Sequence, residues 1–241
     1  NADYAPRLMD ALTGGSPHHP IHVNLDQNWR RDICLFSRGM SEFPVLVALL
    51  KQGAGGTIQA LRLSGTEYVV GAGKSLAPLM AGGGLSAVGG YAFDGTRIIA
   101  SNPRSAPIVL AKVTHGLSRG GVFRVDGWTV ERTSEDLFQK DWDPATRLFV
   151  ADSEKESAAC GRVAQGAYRP VDVAMSSRWR AEARCETGSP SLFVFAEPYS
   201  ADWRAYVDNK EVDILRLNEC LLGAQIPTGA HEIVWRRNPG Q

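Results

Sequence analysis

The chain has 241 residues, enough for one large domain or two small ones, and 44% of them are hydrophobic, as in ordinary globular proteins. Lysine plus arginine and aspartate plus glutamate both number 26, so the formal net charge is zero and no broad positive field exists to draw in nucleic acid or anionic lipid. The longest strongly apolar run, Val45 to Leu50, stops at Lys51, well short of the about 20 residues that a bilayer crossing needs.

No basic start followed by an apolar stretch and a small-residue cleavage site opens the chain, which therefore reads as a segment of a longer protein. In chain order, Ile33 to Phe36 suits a short strand. A helix is expected to start at Ser41-Glu42, run through Phe43, Val45, Leu46, Leu49 and Leu50, and end at Gly53. Thr57 can cap a second helix through Leu63 with Gly65 as its stop, and Glu67 to Val70 reads as a strand. The glycines between Gly71 and Gly90, among them Gly82-Gly83-Gly84, suggest a long flexible connection or lid.

Beyond Gly90 the pattern turns to strands, at Arg97–Ala100, Ile108–Val113, Val122–Val125 and Arg147–Val150, with one short helix capped by Ser134. From Tyr168 onward short strand patterns recur about every ten residues, the spacing of an antiparallel sandwich. Asp208-Asn209 can occupy the positive-φ positions of a tight hairpin, and Thr228-Gly229 can make another. The expected fold class is α+β. An α/β region over residues 1–90, with its glycine-rich connection at 71–90, packs with a β-rich region over 91–241 whose jelly-roll-like β-sandwich has its core at 168–237.

The chemistry-bearing patterns are weak. Gly73-Lys74-Ser75 follows a strand as a phosphate-binding loop does, but the first glycine of that motif falls on Tyr68, and Pro78 argues against the helix it needs. His18, His19 and His22 sit in a proline-rich loop rather than on one helix face, and the cysteines Cys34, Cys160, Cys185 and Cys220 lack zinc spacing. A Cys160–Cys185 bridge and buried free thiols both remain open. No G-x-S-x-G elbow exists, and Asp141 and Asp143 read as an acidic turn before Pro144 rather than a glycosidase pair. No cofactor fingerprint, metal set or catalytic residue is assigned, and no turnover is expected from this chain. Stacked aromatics are a common sugar-binding device, which singles out Tyr199, Trp203 and Tyr206, with Arg204 and Asn218 as hydroxyl or anion partners. An apolar strand register also fits Trp203 as core.

Residues Leu192 to Arg237 carry an ordered pattern: Leu192-Phe-Val-Phe-Ala-Glu197, Tyr199, Trp203-Arg-Ala-Tyr-Val-Asp208, Lys210, Leu215-Arg-Leu-Asn218, Ile226-Pro227 and Gly229-Ala-His231. Upstream, Leu61-Arg-Leu63 before Tyr68-Val-Val70, Asn102 before Ala106-Pro107, and Asp143-Pro144 before Leu148-Phe-Val150 add to it. This pattern resembles the C-terminal signature of YfhO-like bacterial polytopic membrane proteins, with Asp202 and Asn209 where that family has glycine. The resemblance implies a parent related to GT-C glycosyltransferases that use polyprenyl-phosphate sugars, with this domain on the periplasmic or extracellular face of the cytoplasmic membrane. It implies two partners, the transmembrane portion of the same parent and a cell-envelope glycan. Catalytic acids in such enzymes lie in the membrane part, so none transfers to this numbering. The alternative reading is a ligand-free structural or protein-interaction domain.

Overall fold

The computed structural model describes residues 21–22, 33–34, 49, 52–94, 96–133, 142–151, 160–177 and 179–238, which contain seventeen strands and two helices. Contacts divide the chain into two units, residues 1–37 with 67–114 and residues 38–66 with 115–241. None of the described helices is long and apolar enough to cross a membrane.

The first unit is built on β1 (Ile21–His22), β2 (Ile33–Cys34), β3 (Tyr68–Ala72), β4 (Leu85–Phe93), β5 (Ile98–Ser101) and β6 (Ile108–Val113). Its six-stranded sheet runs β1-β3-β6-β4-β5, and β2 shares with β1 the outer edge of β3. A helix (Gly73–Ala81) packs on one face through Leu76 and Leu79, both buried. The ends of the 67–114 segment lie side by side, with Val113 N donating to Glu67 O at 2.9 Å.

The glycine-dense stretch is therefore a helix and a strand, not the flexible connection expected over residues 71–90. The physical reason lies in where the glycines sit. Gly83 takes a φ of 71° at the helix end, and amides 83 and 84 donate to Met80 O and Leu79 O at 3.0 and 3.1 Å, the paired bonds of a Schellman cap. Inside β4 a side chain at Gly90 would come within 2.7 Å of Pro103 Cα, so this glycine admits a crossing backbone. Pro78 forfeits one helical bond, which burial of Leu76 and Leu79 offsets.

The second unit opens with α1 (Ala54–Leu63), closed where the sequence suggested: Gly65 has a φ of 67°, and Gly65 N and Thr66 N donate to Arg62 O and Leu61 O at 3.2 and 3.0 Å. The helix Gly73–Ala81 of the first unit is α2. Then come β7 (Gly120–Thr133), β8 (Arg147–Ala151), β9 (Cys160–Pro170), β10 (Val173–Ser177), β11 (Arg180–Thr187) and β12 (Ser191–Pro198). β13 (Trp203–Val207), β14 (Lys210–Val212), β15 (Ile214–Leu217), β16 (Leu221–Ile226) and β17 (Gly229–Arg237) complete it.

These strands do not form a sandwich of two open sheets. Six of them close into a barrel, β12-β16-β15-β8-β9-β7, and five form a separate sheet, β10-β11-β17-β13-β14. The expected α+β class is thus corrected: the described chain is mostly β, and helices form neither a layer nor an α/β half. Closure removes the exposed edges that an open sheet of these strands would leave. Asp208-Asn209 does make the β13–β14 hairpin, with φ of 51° and 65° and Val207 opposite Lys210. Thr228-Gly229 does not make a hairpin, because β16 lies in the barrel and β17 in the sheet.

The five-stranded sheet packs on one barrel wall. Ala181, Trp203, Ala205, Ile233 and Trp235 from the sheet meet Val122, Phe193, Phe195, Leu222 and Ala224 from the barrel. Phe195 stacks on Trp235 at 5.3 Å between ring centres and meets Trp203 edge-on at 5.6 Å. Such pairs contribute about 0.5–1.5 kcal/mol each beyond the area they bury.

The barrel's weakest seam lies between β15 and β8, which share a single register pair, Leu217 with Val150. Asn218 reinforces it: its backbone N donates to Phe149 O at 2.8 Å, and Phe149 N donates to Asn218 Oδ1 at 3.0 Å. The side-chain amide thus substitutes for the ladder bond that a longer β15 would make.

Candidate functional site

Ladder partners share a face and neighbours along a strand alternate, so the barrel register sorts inside from outside. Val122, Phe193 and Ala224 face the five-stranded sheet. Their neighbours Phe123, Leu192 and Gln225, aligned across β7, β12 and β16, therefore point into the barrel. Val125 lies on that side, as do Leu215, two residues from Leu217, and Trp128, opposite Ala164, which in turn opposes Leu148. Phe123, Leu148, Val194 and Leu217 are fully buried and fill the interior.

At one end this filling stops. A cavity of about 740 Å³ opens there, floored by Val125, Leu192 and Leu215 and rimmed by Trp128, Gln225, Glu211, Asp213, Pro190 and Pro227. Its size lies within the range of about 300–1,000 Å³ common for ligand sites, and barrel mouths are frequent places for them.

Trp128 is 43% exposed although it stands in a long strand. The β7–β9 register shifts on both sides of it, between Val125 and Gly127 and between Thr129 and Arg132. Bulges bend a strand and re-aim its side chains, which is how this indole reaches the rim. Arg162 from β9 lays its guanidinium over the ring at 4.7 Å, a contact that restrains the indole. Glu211 is held by Arg204, Oε1 to Nε at 3.5 Å. The apolar floor, exposed indole, two carboxylates and amide offer one apolar stacking face and several hydrogen-bonding groups at one opening.

The residues selected from sequence fall elsewhere. Trp203 is 3% exposed, in the core between sheet and barrel. Asn218 is 0% exposed and committed to the seam. Tyr199 is half-buried against that core beneath the Arg216 guanidinium, 5.7 Å from its ring centre. Tyr206 and Arg204 lie on the opposite face of β13 from Trp203, with Arg236 5.1 Å over the Tyr206 ring. Of the five, Arg204 alone approaches the cavity, through Glu211.

The sequence reading missed Trp128 because Asp126-Gly127 looks like a turn that ends the strand at Val125. A bulge leaves a different trace, alternation that resumes one residue out of phase, and Trp128-Thr129 shows it.

The remaining patterns take structural roles. Gly73 N donates to Pro107 O at 3.1 Å, so the first amide of the Gly73-Lys74-Ser75 turn is already used. Asp143 Oδ1 accepts from Ala145 N at 2.9 Å, an Asx turn at Pro144. The side chains of Asp141, His18, His19 and His22 and the helix expected at Ser134 lie outside the described residues. Among the described residues no group of three or more histidine, cysteine or acidic side chains could hold a metal. Cys185 and Cys220 are buried free thiols, so Cys185 is not bridged to Cys160. Burial pushes both thiols up from their ordinary pKa, the opposite of what a nucleophilic cysteine needs. Burial likewise raises the Glu197 carboxyl, against the pull of Arg119 and Arg237. His231 Nδ1 and Asp208 Oδ2 lie 2.7 Å apart beside the β13–β14 turn, which raises the histidine and lowers the aspartate.

No family model matches this sequence, and no curated protein matches it. Among solved structures, the arabinofuranosyltransferase AftD from Mycobacteria, seen by single-particle cryo-electron microscopy, matches 62% of this chain at 9% identity and a TM-score of 0.27. An arginine-to-serine mutant of the same protein matches 64% at 10% identity and a TM-score of 0.26. This chain spans 18% of that protein's length, and likenesses this loose carry no argument about fold or activity.

Proposed function

We propose that this chain is an accessory domain without turnover of its own that holds a cell-envelope glycan at the mouth of its barrel. The observation that carries the reading is Trp128, an exposed indole set between two register shifts over an apolar cavity with carboxylates at its rim. The sequence pattern of Leu192 to Arg237 supports the finer part: a place outside the cytoplasmic membrane, beside the transmembrane portion of a parent related to polyprenyl-phosphate-sugar glycosyltransferases.

Binding is tested by nuclear magnetic resonance on the ¹⁵N-labelled chain, following the Trp128 indole N–H during titration with neutral cell-wall oligosaccharides. A saturable shift of that signal, lost in Trp128→Ala, is expected; shifts confined to other tryptophans would move the site elsewhere. The complete gene tests the setting, since about a dozen upstream segments of spanning length are expected. A reproducible turnover abolished by one substitution in this chain would remove the non-catalytic assignment.

A second reading has its own support. Val88, Phe93 and Ile99 are exposed on β4 and β5, and β5, without a charged residue, is an edge among the described strands of its sheet, features that suit a protein-docking domain. Capture of an envelope protein that survives Trp128→Ala and is lost on Phe93→Asp would favour it.

A further inference from the structure

From the charges around the barrel mouth we infer that the site selects neutral glycans and turns away those carrying uronate or phosphate groups. This rests on the glycan reading of the mouth. Among the described residues the charged side chains lining the cavity are Glu211 and Asp213, both acidic. No described basic side chain lines the cavity: Arg204 is paired with Glu211 at 3.5 Å, Arg124 with Asp126 at 2.8 and 3.0 Å, and Arg162, still charged, lies against the Trp128 ring at 4.7 Å rather than in the lining. An anionic ligand in the cavity would meet Asp213 with no described cation in the lining to compensate it.

The indole adds to the selection. The face of an aromatic ring carries negative potential, which attracts the weakly positive C–H face of a sugar and repels a carboxylate or phosphate held against it. Gln225, exposed at the rim, can donate to and accept from hydroxyls without regard to charge. Like charges a few ångströms apart in wet surroundings repel enough to weaken binding about tenfold.

The test pairs neutral hexopyranose tetrasaccharides with the hexuronate tetrasaccharides of the same linkages, each titrated against the ¹⁵N-labelled chain at the Trp128 indole signal. At low salt the uronate partner is expected to bind about tenfold more weakly. The gap should shrink at 1 M salt, where the screening length falls to about 3 Å. Glu211→Gln combined with Asp213→Asn should also narrow it, with the melting curve showing that the variant is folded. A uronate binding as tightly as its neutral partner overturns the charge selection and leaves the glycan reading standing. If no tetrasaccharide of either kind moves the Trp128 signal, the glycan reading falls, and the selection with it.

Discussion

The wall of the barrel that meets the five-stranded sheet and the mouth at its end are made from the same strands, often from adjacent residues. On the wall, Phe195 lies among Trp203 and Trp235, all buried. At the mouth, Leu192 and Val125 floor an open cavity beneath an exposed tryptophan. Residue type does not decide between these fates. A second layer packs against the wall, whereas the mouth keeps an open cavity edged by β14, so aromatic groups lend stability in one place and are exposed in the other.

The contrast can be broken most severely at the wall. Trp235 is 0% exposed, and Trp235→Ala should cost about 3–5 kcal/mol in denaturant unfolding through the cavity it leaves. A loss under about 1 kcal/mol would mean that this wall is not the core.

Asn218→Ala comes next. It removes the acceptor for Phe149 N, and a buried donor left without its partner costs about 1–3 kcal/mol. Amide exchange at Phe149 should accelerate more than exchange along β12. Equal acceleration everywhere would mean that the seam has no local weakness.

Trp128→Ala sharpens the comparison from the other side. Stability should stay within about 0.5 kcal/mol of the parent, as for an exposed position, while glycan binding disappears. A large drop in melting temperature would place Trp128 with the core instead.

The smallest effect is expected at the β13–β14 turn. His231 is raised above its ordinary 6.5, so its contribution is fully present below that value and fades as pH rises through the folded pKa. Asp208 is lowered below 3.8, so its contribution is present above that value and is lost as pH falls. The melting-temperature difference between wild type and His231→Gln should therefore be widest near pH 5 and narrow toward both pH 3 and pH 8. A flat difference across that range would show that the pair does not act as a salt bridge.

Much of the local structure was legible from sequence, because local signals report local geometry. Gly65 stops α1, Asp208-Asn209 turns a hairpin, and the alternation of Trp203 to Val207 is the strand observed. What escaped is non-local. Ser191 to Pro198 reads as a strand, but nothing in it says that β7 will take one edge and β16 the other. Barrel and open sheet use the same period of two and differ in how the last pair closes, here one register pair and Asn218. Glycine misled for a related reason: at Gly90 it marks a neighbouring chain at Pro103, which composition reads as flexibility. The site shared this fate, since Trp128 and Glu211 are far apart in sequence and meet only once the barrel has closed.

The bond between Val113 N and Glu67 O has a consequence for the gene as well as for the fold. The second unit is interrupted between Thr66 and His115, and the 67–114 stretch, which with residues 1–37 makes the first unit, leaves beside the point where it arrives. Closing a loop costs entropy that grows with the length of free chain, but an insert whose ends are tied together loads its host like a short turn. Changes of length within such a segment add little closure cost to the second unit, and junctions of this kind are where domain insertion is best tolerated. Changes there must still keep β3 as the partner of β1 and β2, which come from residues 1–37.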